Sequence, residues 1–184
     1  MAGRFHAFFH GKSAGNIVLL LLVVFGLYFF VYREARFFRI PSSSMEPTLF
    51  PVDMIVTMSE PIYHRGDIVV LRESDVPGEY FVKRIVGVGG DRIFVANGAL
   101  NINGEYASEP YIAEPIAYVI TKPVEVPDGK VFVLGDNRNN SSDSHDEGES
   151  FPTDMIMGRV RFLYYPYDRF GPVASYPLTN RLGQ

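Results

Sequence analysis

Cysteine is absent from the 184 residues, and that absence alone removes a disulfide framework, a zinc–thiolate site and a cysteine nucleophile. Acidic residues are missing from the first 32 positions, where Arg4 and Lys12 are the formal charges. Repeats and low-complexity tracts are missing as well, which excludes a solenoid and gives no reason to expect disorder. No soluble stretch keeps a 3.6-residue apolar period beyond one turn, so amphipathic helices are not expected. The four histidines, His6, His10, His64 and His145, have no ligand-like spacing, and no metal is expected. Gly87-Val88-Gly89-Gly90 lacks the lysine-serine ending and the following helix of a phosphate loop, so no nucleotide cofactor is expected, nor any other. Past residue 32 the chain carries 15 basic and 21 acidic residues, a net charge of −6 with no basic stripe. That balance argues against a nucleic-acid partner.

One long apolar run is present. Ser13–Tyr32 holds no charge, and Ile17–Tyr32 reads IVLLLLVVFGLYFFVY. Twenty helical residues span about 30 Å, the thickness of the bilayer hydrocarbon, and Tyr28 and Tyr32 stand toward one end, where interfacial aromatics belong. A cleaved secretory signal would be shorter and followed by small residues at −3 and −1. Here Arg33-Glu34-Ala35-Arg36 follows. The run therefore predicts an uncleaved membrane anchor over residues 13–32. Arg4 and Lys12 on one side, against Arg33, Arg36 and Arg39 on the other, leave its orientation open.

Beyond a short amphipathic connector, Arg33–Ile40, the pattern is β. Strands are expected over Met54–Met58, Asp67–Leu71, Tyr80–Val88, Arg92–Ala96, Ala99–Ile102, Tyr118–Thr121, Val131–Leu134 and Arg159–Tyr164, each rich in Val, Ile, Phe or Tyr and bounded by Gly, Pro or Asp. Asn97-Gly98 marks a hairpin and Asn103-Gly104 suits a second turn. Pro110, Pro115, Pro123 and Pro127 punctuate a loop-rich middle. The fold class is mainly β, an antiparallel sheet or barrel-like domain after one membrane helix.

Three segments carry residues suited to catalysis. Ser44 lies between Pro41 and Pro47 in a segment expected to be rigid and extended, although three serines in a row also suit a solvated linker. Lys83 lies in Tyr80-Phe81-Val82-Lys83-Arg84-Ile85-Val86. Phe81, Lys83 and Ile85 share one face of an alternating strand, with Arg84 on the other, toward solvent. Burial on that face would lower the lysine pKa into the range of a general base; a lysine snorkelling at a strand edge fits the same pattern. A serine hydroxyl needs such a neutral base to attack at neutral pH. The third segment, Gly135-Asp136-Asn137-Arg138-Asn139-Asn140-Ser141-Ser142-Asp143-Ser144-His145, reads as a polar turn or a solvated loop. In it Ser141 or Ser142 would accept from the lysine, and Asp143 would pair with Arg84, Arg138 or His145. Its two glycosylation sequons are short enough to arise by chance.

In series these segments resemble the type I signal peptidases, membrane-anchored serine proteases that remove signal peptides from exported proteins. The resemblance rests on Ile40–Leu49, on Arg65-Gly66-Asp67-Ile68-Val69-Val70, on Val82–Gly87 continuing to Gly90-Asp91-Arg92, and on Gly135–Ser144, after an anchor. It implies Ser44 as nucleophile, Lys83 as general base, and the Ser42 hydroxyl with the Ser44 N–H as oxyanion hole. Ser141 would orient Lys83, with Asp143 and Arg138 as supports. Ile40, Met45 and Val82 would line shallow pockets for small side chains at −1 and −3, and an extended peptide would pair along the strand near Phe81. The implied partners are signal peptides of exported preproteins and membrane lipid. The implied layout is a cytoplasmic 1–12, an anchor 13–32 and an extracytoplasmic catalytic domain 33–184, in a bacterial cytoplasmic membrane. One stretch departs from the family: Ser144–Phe151 is acidic where an aromatic run is usual.

Three other readings use the same residues. A Ser-His-Asp triad would take His64 or His145 as base, backed by Asp67 or Asp143. A specialised relative would process a pilin or conjugation component, and a non-catalytic β module would cut nothing.

Overall fold

The computed structural model describes residues 10–32, 35–72, 78–176 and 178, with side chains of the first helix described over 15–28. Contacts divide the chain into two units, residues 1–35 and 36–184. The first holds helix α1, His10–Tyr32. Its apolar side chains from Ile17 to Tyr28 are exposed, Leu22 and Phe25 by 63% and 67%. Among the described residues no helix is long and apolar enough to cross a membrane.

The described residues of the second unit form twelve strands: β1 Arg36–Arg39, β2 Met54–Met58, β3 Ile68–Arg72, β4 Tyr80–Val88, β5 Arg92–Ala96, β6 Ala99–Ile102, β7 Glu105–Tyr106, β8 Ile120–Glu125, β9 Lys130–Leu134, β10 Phe151–Pro152, β11 Ile156–Tyr165 and β12 Gly171–Pro172. All pairings are antiparallel. One sheet runs β1-β2-β11-β3-β4-β9-β10 with β12 beside β11; the other runs β7-β6-β5-β8. The described helix of this unit, α2 (Ser144–Glu147), is one turn long, capped by the Asp143 side chain and closed by Gly148 in the left-handed region.

Alternation of side chains sorts the core. On β3, Ile68 and Val70 join Ile40, Met45, Leu49, Val82 and Leu163 in one cluster. Val69 and Leu71 join Ile85, Val131 and Val133 in a second, with Phe81 packed against it. A third cluster fills the space of the smaller sheet with Ile93, Val95, Leu100, Ile102, Phe132 and Leu134. The hairpin at Asn97-Gly98 forms with both residues at positive φ, and Asn103-Gly104 makes the next turn the same way.

The expected strands form, with shifted ends. Two segments differ in kind. The connector at 33–40 contains β1, which pairs along β2 from Arg36↔Thr57 to Arg39↔Met54; four residues are too few to display a period. Pro123, taken as loop punctuation, lies inside β8. It is tolerated because β8 is an edge strand, where a missing N–H breaks no ladder.

Candidate active site

Ser44 sits in a single 3₁₀ turn, Ser43–Met45, entered from an extended Ser42. The turn replaces the extended segment expected from the flanking prolines. Pro47 constrains only Glu46, which is extended at φ −64°, ψ 143°, so a turn fits before it. Ser42 donates its hydroxyl to Ser44 Oγ at 3.2 Å. The Ser44 carbonyl accepts from the Asn137 N–H at 3.0 Å, and Asn137 Nδ2 donates to the Ser43 carbonyl at 3.2 Å. Asn140 Nδ2 adds a bond to Ser43 Oγ at 3.3 Å. The serine turn is stapled to the 135–143 loop.

Lys83 projects from β4 opposite Val69 of β3, a fully buried residue. Phe81 and Ile85, its neighbours on that face, belong to the same apolar cluster as Val69. The lysine is 4% exposed. Its Nζ lies 2.7 Å from Ser141 Oγ. Ser141 in turn donates to Asp143 Oδ2 at 2.6 Å. With its proton committed there, Ser141 meets the lysine as an acceptor.

Asp143, 3% exposed, is itself held from four sides. Oδ2 accepts from Ser141 and from the Gly135 N–H at 2.8 Å. Oδ1 accepts from the His145 N–H at 3.2 Å and faces His145 Nδ1 at 2.6 Å. The imidazole stacks on Tyr118 with centroids 3.8 Å apart. Of the three partners expected for Asp143, the structure places His145 there.

Arg84 does not face solvent. It is fully buried and forked onto Asp136, Nε to Oδ1 at 2.8 Å and Nη2 to Oδ2 at 2.6 Å. Nη1 donates to the Gly66 carbonyl at 2.8 Å, and the guanidinium lies 3.9 Å over the Tyr111 ring. Both faces of β4 are covered, so alternation separated Lys83 from Arg84 without exposing either. Asp136 also accepts from Thr48 Oγ1 at 2.5 Å, which ties the pair to the serine segment.

Arg138 braces the loop from another direction. Its Nε donates to the Gly135 carbonyl at 3.0 Å, and its other nitrogens grip Glu109 at 2.7 and 2.5 Å. Burial works against this guanidinium, but Glu109's hydrogen bonds and charge overcome it and hold the group above its ordinary pKa. Burial, with Glu109 beside it, also raises the Tyr111 phenol well above its usual value.

Ser42, Ser44, Lys83, Ser141 and Asp143 line one open cleft of about 1280 Å³, with Phe81 and Phe151 as its aromatic wall. A buried serine, a buried lysine and a hydroxyl that fixes the lysine are the parts needed to activate an alcohol for attack on a carbonyl. Among the described residues no group of His, Asp and Glu is placed to hold a metal ion.

A family model described as "Signal peptidase, peptidase S26" matches residues 12–165. The chain belongs to that family. Among relatives of this signal peptidase-family enzyme, the probable signal peptidase I-2 of Synechocystis sp. is 41% identical over 172 residues, covering 88% of this chain and 74% of its own. Signal peptidase I of Bacillus amyloliquefaciens is 39% identical over 142 residues, covering 70% and 75%. A crystal structure of signal peptidase I from Enterococcus faecalis V583 is similar over 55% of this chain and 98% of that one, at 29% identity and a TM-score of 0.48. The family makes the chain a serine endopeptidase.

Other expected residues of this peptidase fall elsewhere. Ile40, Met45 and Val82 lie together in one apolar cluster, 2%, 0% and 3% exposed. His64 is exposed by 71% and stands 3.9 Å from Asp67. Four residues were not singled out: Gly135, Asn137, Asn140 and Glu109. The first three lie in the quoted Gly135–Ser144 block, but which of its polar groups would face the serine turn is a tertiary fact. Glu109, in the proline-rich middle, carried no local signal.

Proposed function

We propose that this peptidase cuts signal peptides from exported preproteins after small residues at −1 and −3, with Ser44 as nucleophile and Lys83 as base. The observation that carries the reading is the directed chain Lys83–Ser141–Asp143 in the cleft that Ser44 lines. Because Ser141 is an acceptor toward Lys83, an N–H of the neutral amine is used there and its lone pair is left for Ser44 Oγ. Lys83 takes the Ser44 proton, Oγ attacks the carbonyl of the −1 residue, and the leaving +1 amine is protonated by the resulting ammonium. Water then cleaves the acyl-enzyme, with Lys83 again as base.

The oxyanion is stabilised by the Ser44 N–H and by the Ser42 hydroxyl, which lies 3.2 Å from Oγ and transfers its donation as Oγ becomes an ester oxygen. The substrate lies extended along β4 near Phe81. Ile40, Met45 and Val82 form the apolar bed for the −1 and −3 side chains. Lys83 lines the cleft together with Ser44, whereas His145 is not among the residues that line it and stacks on Tyr118, which favours the lysine over a histidine base.

The same proposal gives residues 13–32 as a membrane anchor, 1–12 as a cytoplasmic segment and 33–184 as the extracytoplasmic catalytic domain. Support comes from the uncharged run and from apolar side chains exposed over Ile17–Tyr28, a surface that water does not favour. The test is incubation of the detergent-solubilised chain with a preprotein ending its leader in Ala-X-Ala, with mass-mapping of products. Wild type cuts after the second Ala. Ser44→Ala and Lys83→Ala each lower kcat by on the order of 10⁴-fold, and His145→Ala by far less. Retained cleavage in Lys83→Ala sinks the dyad.

A further inference from the structure

The hydroxyl of Ser150 is unused by the fold. Ser150 is 8% exposed, and its Oγ is buried without a hydrogen-bond partner. It lines the same cleft as Ser44 and Lys83. Nearby serines are spent on structure: Ser141 donates to Asp143, and Ser144 Oγ accepts from the Val133 N–H at 3.1 Å. Buried hydroxyls are nearly always paired, because an empty donor has given up water for nothing. Ser150 is tied to firm supports. It immediately precedes β10, which pairs with Val131 and Lys130 of β9 at the sheet edge. Phe151 packs on Phe81 with centroids 5.3 Å apart, and Phe81 is two residues from Lys83 on β4.

We propose that Ser150 Oγ is a binding group for the peptide, donating a hydrogen bond to a main-chain carbonyl of the substrate lying in the cleft. The proposal rests on the peptidase reading for the identity of that occupant. A main-chain acceptor fits because an extended peptide offers carbonyls whatever its side chains. A donating hydroxyl fits because unpaired donors are tolerated less than unpaired acceptors in protein interiors.

The experiment uses the full chain in detergent and a synthetic peptide spanning an Ala-X-Ala site. Ser150→Ala raises KM and lowers kcat/KM about fivefold, the worth of one hydrogen bond, with kcat held within about twofold. Its Tm stays level or rises, because the fold loses no hydrogen bond. Ser150→Thr, which keeps the hydroxyl, restores KM. In a Ser44→Ala background the uncut peptide binds about fivefold more weakly once Ser150→Ala is added. An unchanged KM and affinity in Ser150→Ala, a KM change with a lowered Tm, or no peptide binding at all overturns the proposal. A wild type that fails to cut the peptide, while Ser150→Ala still weakens its binding, overturns the peptidase reading and leaves the Ser150 site standing.

Discussion

Gly135 is the point where the nucleophile's turn and the lysine's support touch. A Cβ built there would lie 2.5 Å from the Ser44 carbonyl oxygen and closer still to Ser141 Oγ. Those two atoms belong to the halves that must meet. Gly135→Ala therefore pushes the serine turn from the loop, at a cost of roughly 1–3 kcal/mol. The expected result is a lower thermal midpoint with a kcat loss larger than the stability loss explains, since Ser141 is displaced from Lys83. A variant with normal kcat would show that the halves have slack. Burial of Lys83 beside Phe81 and Ile85 was legible in the sequence, because alternation along an apolar strand is a local pattern, whereas the Ser44 segment also suited a solvated linker and forms a turn. Gly135 was not legible in the same way. A glycine usually signals a left-handed turn, and here what it supplies is room for a carbonyl from 91 positions upstream.

Strand β4 carries Lys83, the base proposed above, on one face and the buried cation Arg84 on the other. The alternation that separates Lys83 from Arg84 was readable, but the fate of the second face was not, because a strand covered on both sides gives no polar stripe. What covers it is the core of the smaller sheet and Tyr111, both fixed by tertiary packing. Arg84 and Asp136 are each 0% exposed in their side chains. Removing one partner leaves a buried charge, so Arg84→Ala should cost roughly 3–5 kcal/mol, while an apolar pair such as Arg84→Met with Asp136→Leu should cost much less. Denaturant unfolding of the single and double variants measures the coupling, and additive losses would rule it out. Length is a separate limit: β7, β10 and β12 have two residues each and β1 has four, too few to show a period, whereas the four residues of β6 were marked by the Asn97-Gly98 turn before them.

Across the whole molecule, one acid joins the two sheets. Asp91 accepts from Arg65 Nε at 2.7 Å and Nη2 at 2.5 Å, from Asn103 Nδ2 at 2.9 Å and from the Val88 N–H at 2.9 Å. Arg65 precedes β3 of the larger sheet, and Asn103 follows β6 of the smaller. Burial alone would raise the Asp91 pKa, but Arg65 and the other donors outweigh it and set it below the ordinary value. A depressed carboxyl adds stability at pH above its unfolded value of about 4, and that stability is lost as pH falls through the folded value. Asp91→Asn is therefore expected to be less stable than wild type by roughly 2 kcal/mol at pH 7, with the gap closing below about pH 4. Unfolding curves at both pH values check it, and a gap that persists in acid would contradict the linkage.

The stitching of the site has a temporal meaning. Ser141 comes to Lys83 from 58 residues away, and Asn137 reaches Ser43 across 94. A chain still being synthesised, with residues up to about 130 emerged, already holds Ser44 and Lys83. It holds neither the hydroxyl that aims the base nor the amides that seat the serine, and closing loops that long comes late. The proposed dyad thus gains its supports only from the 135–143 loop, late in the order in which the chain is made.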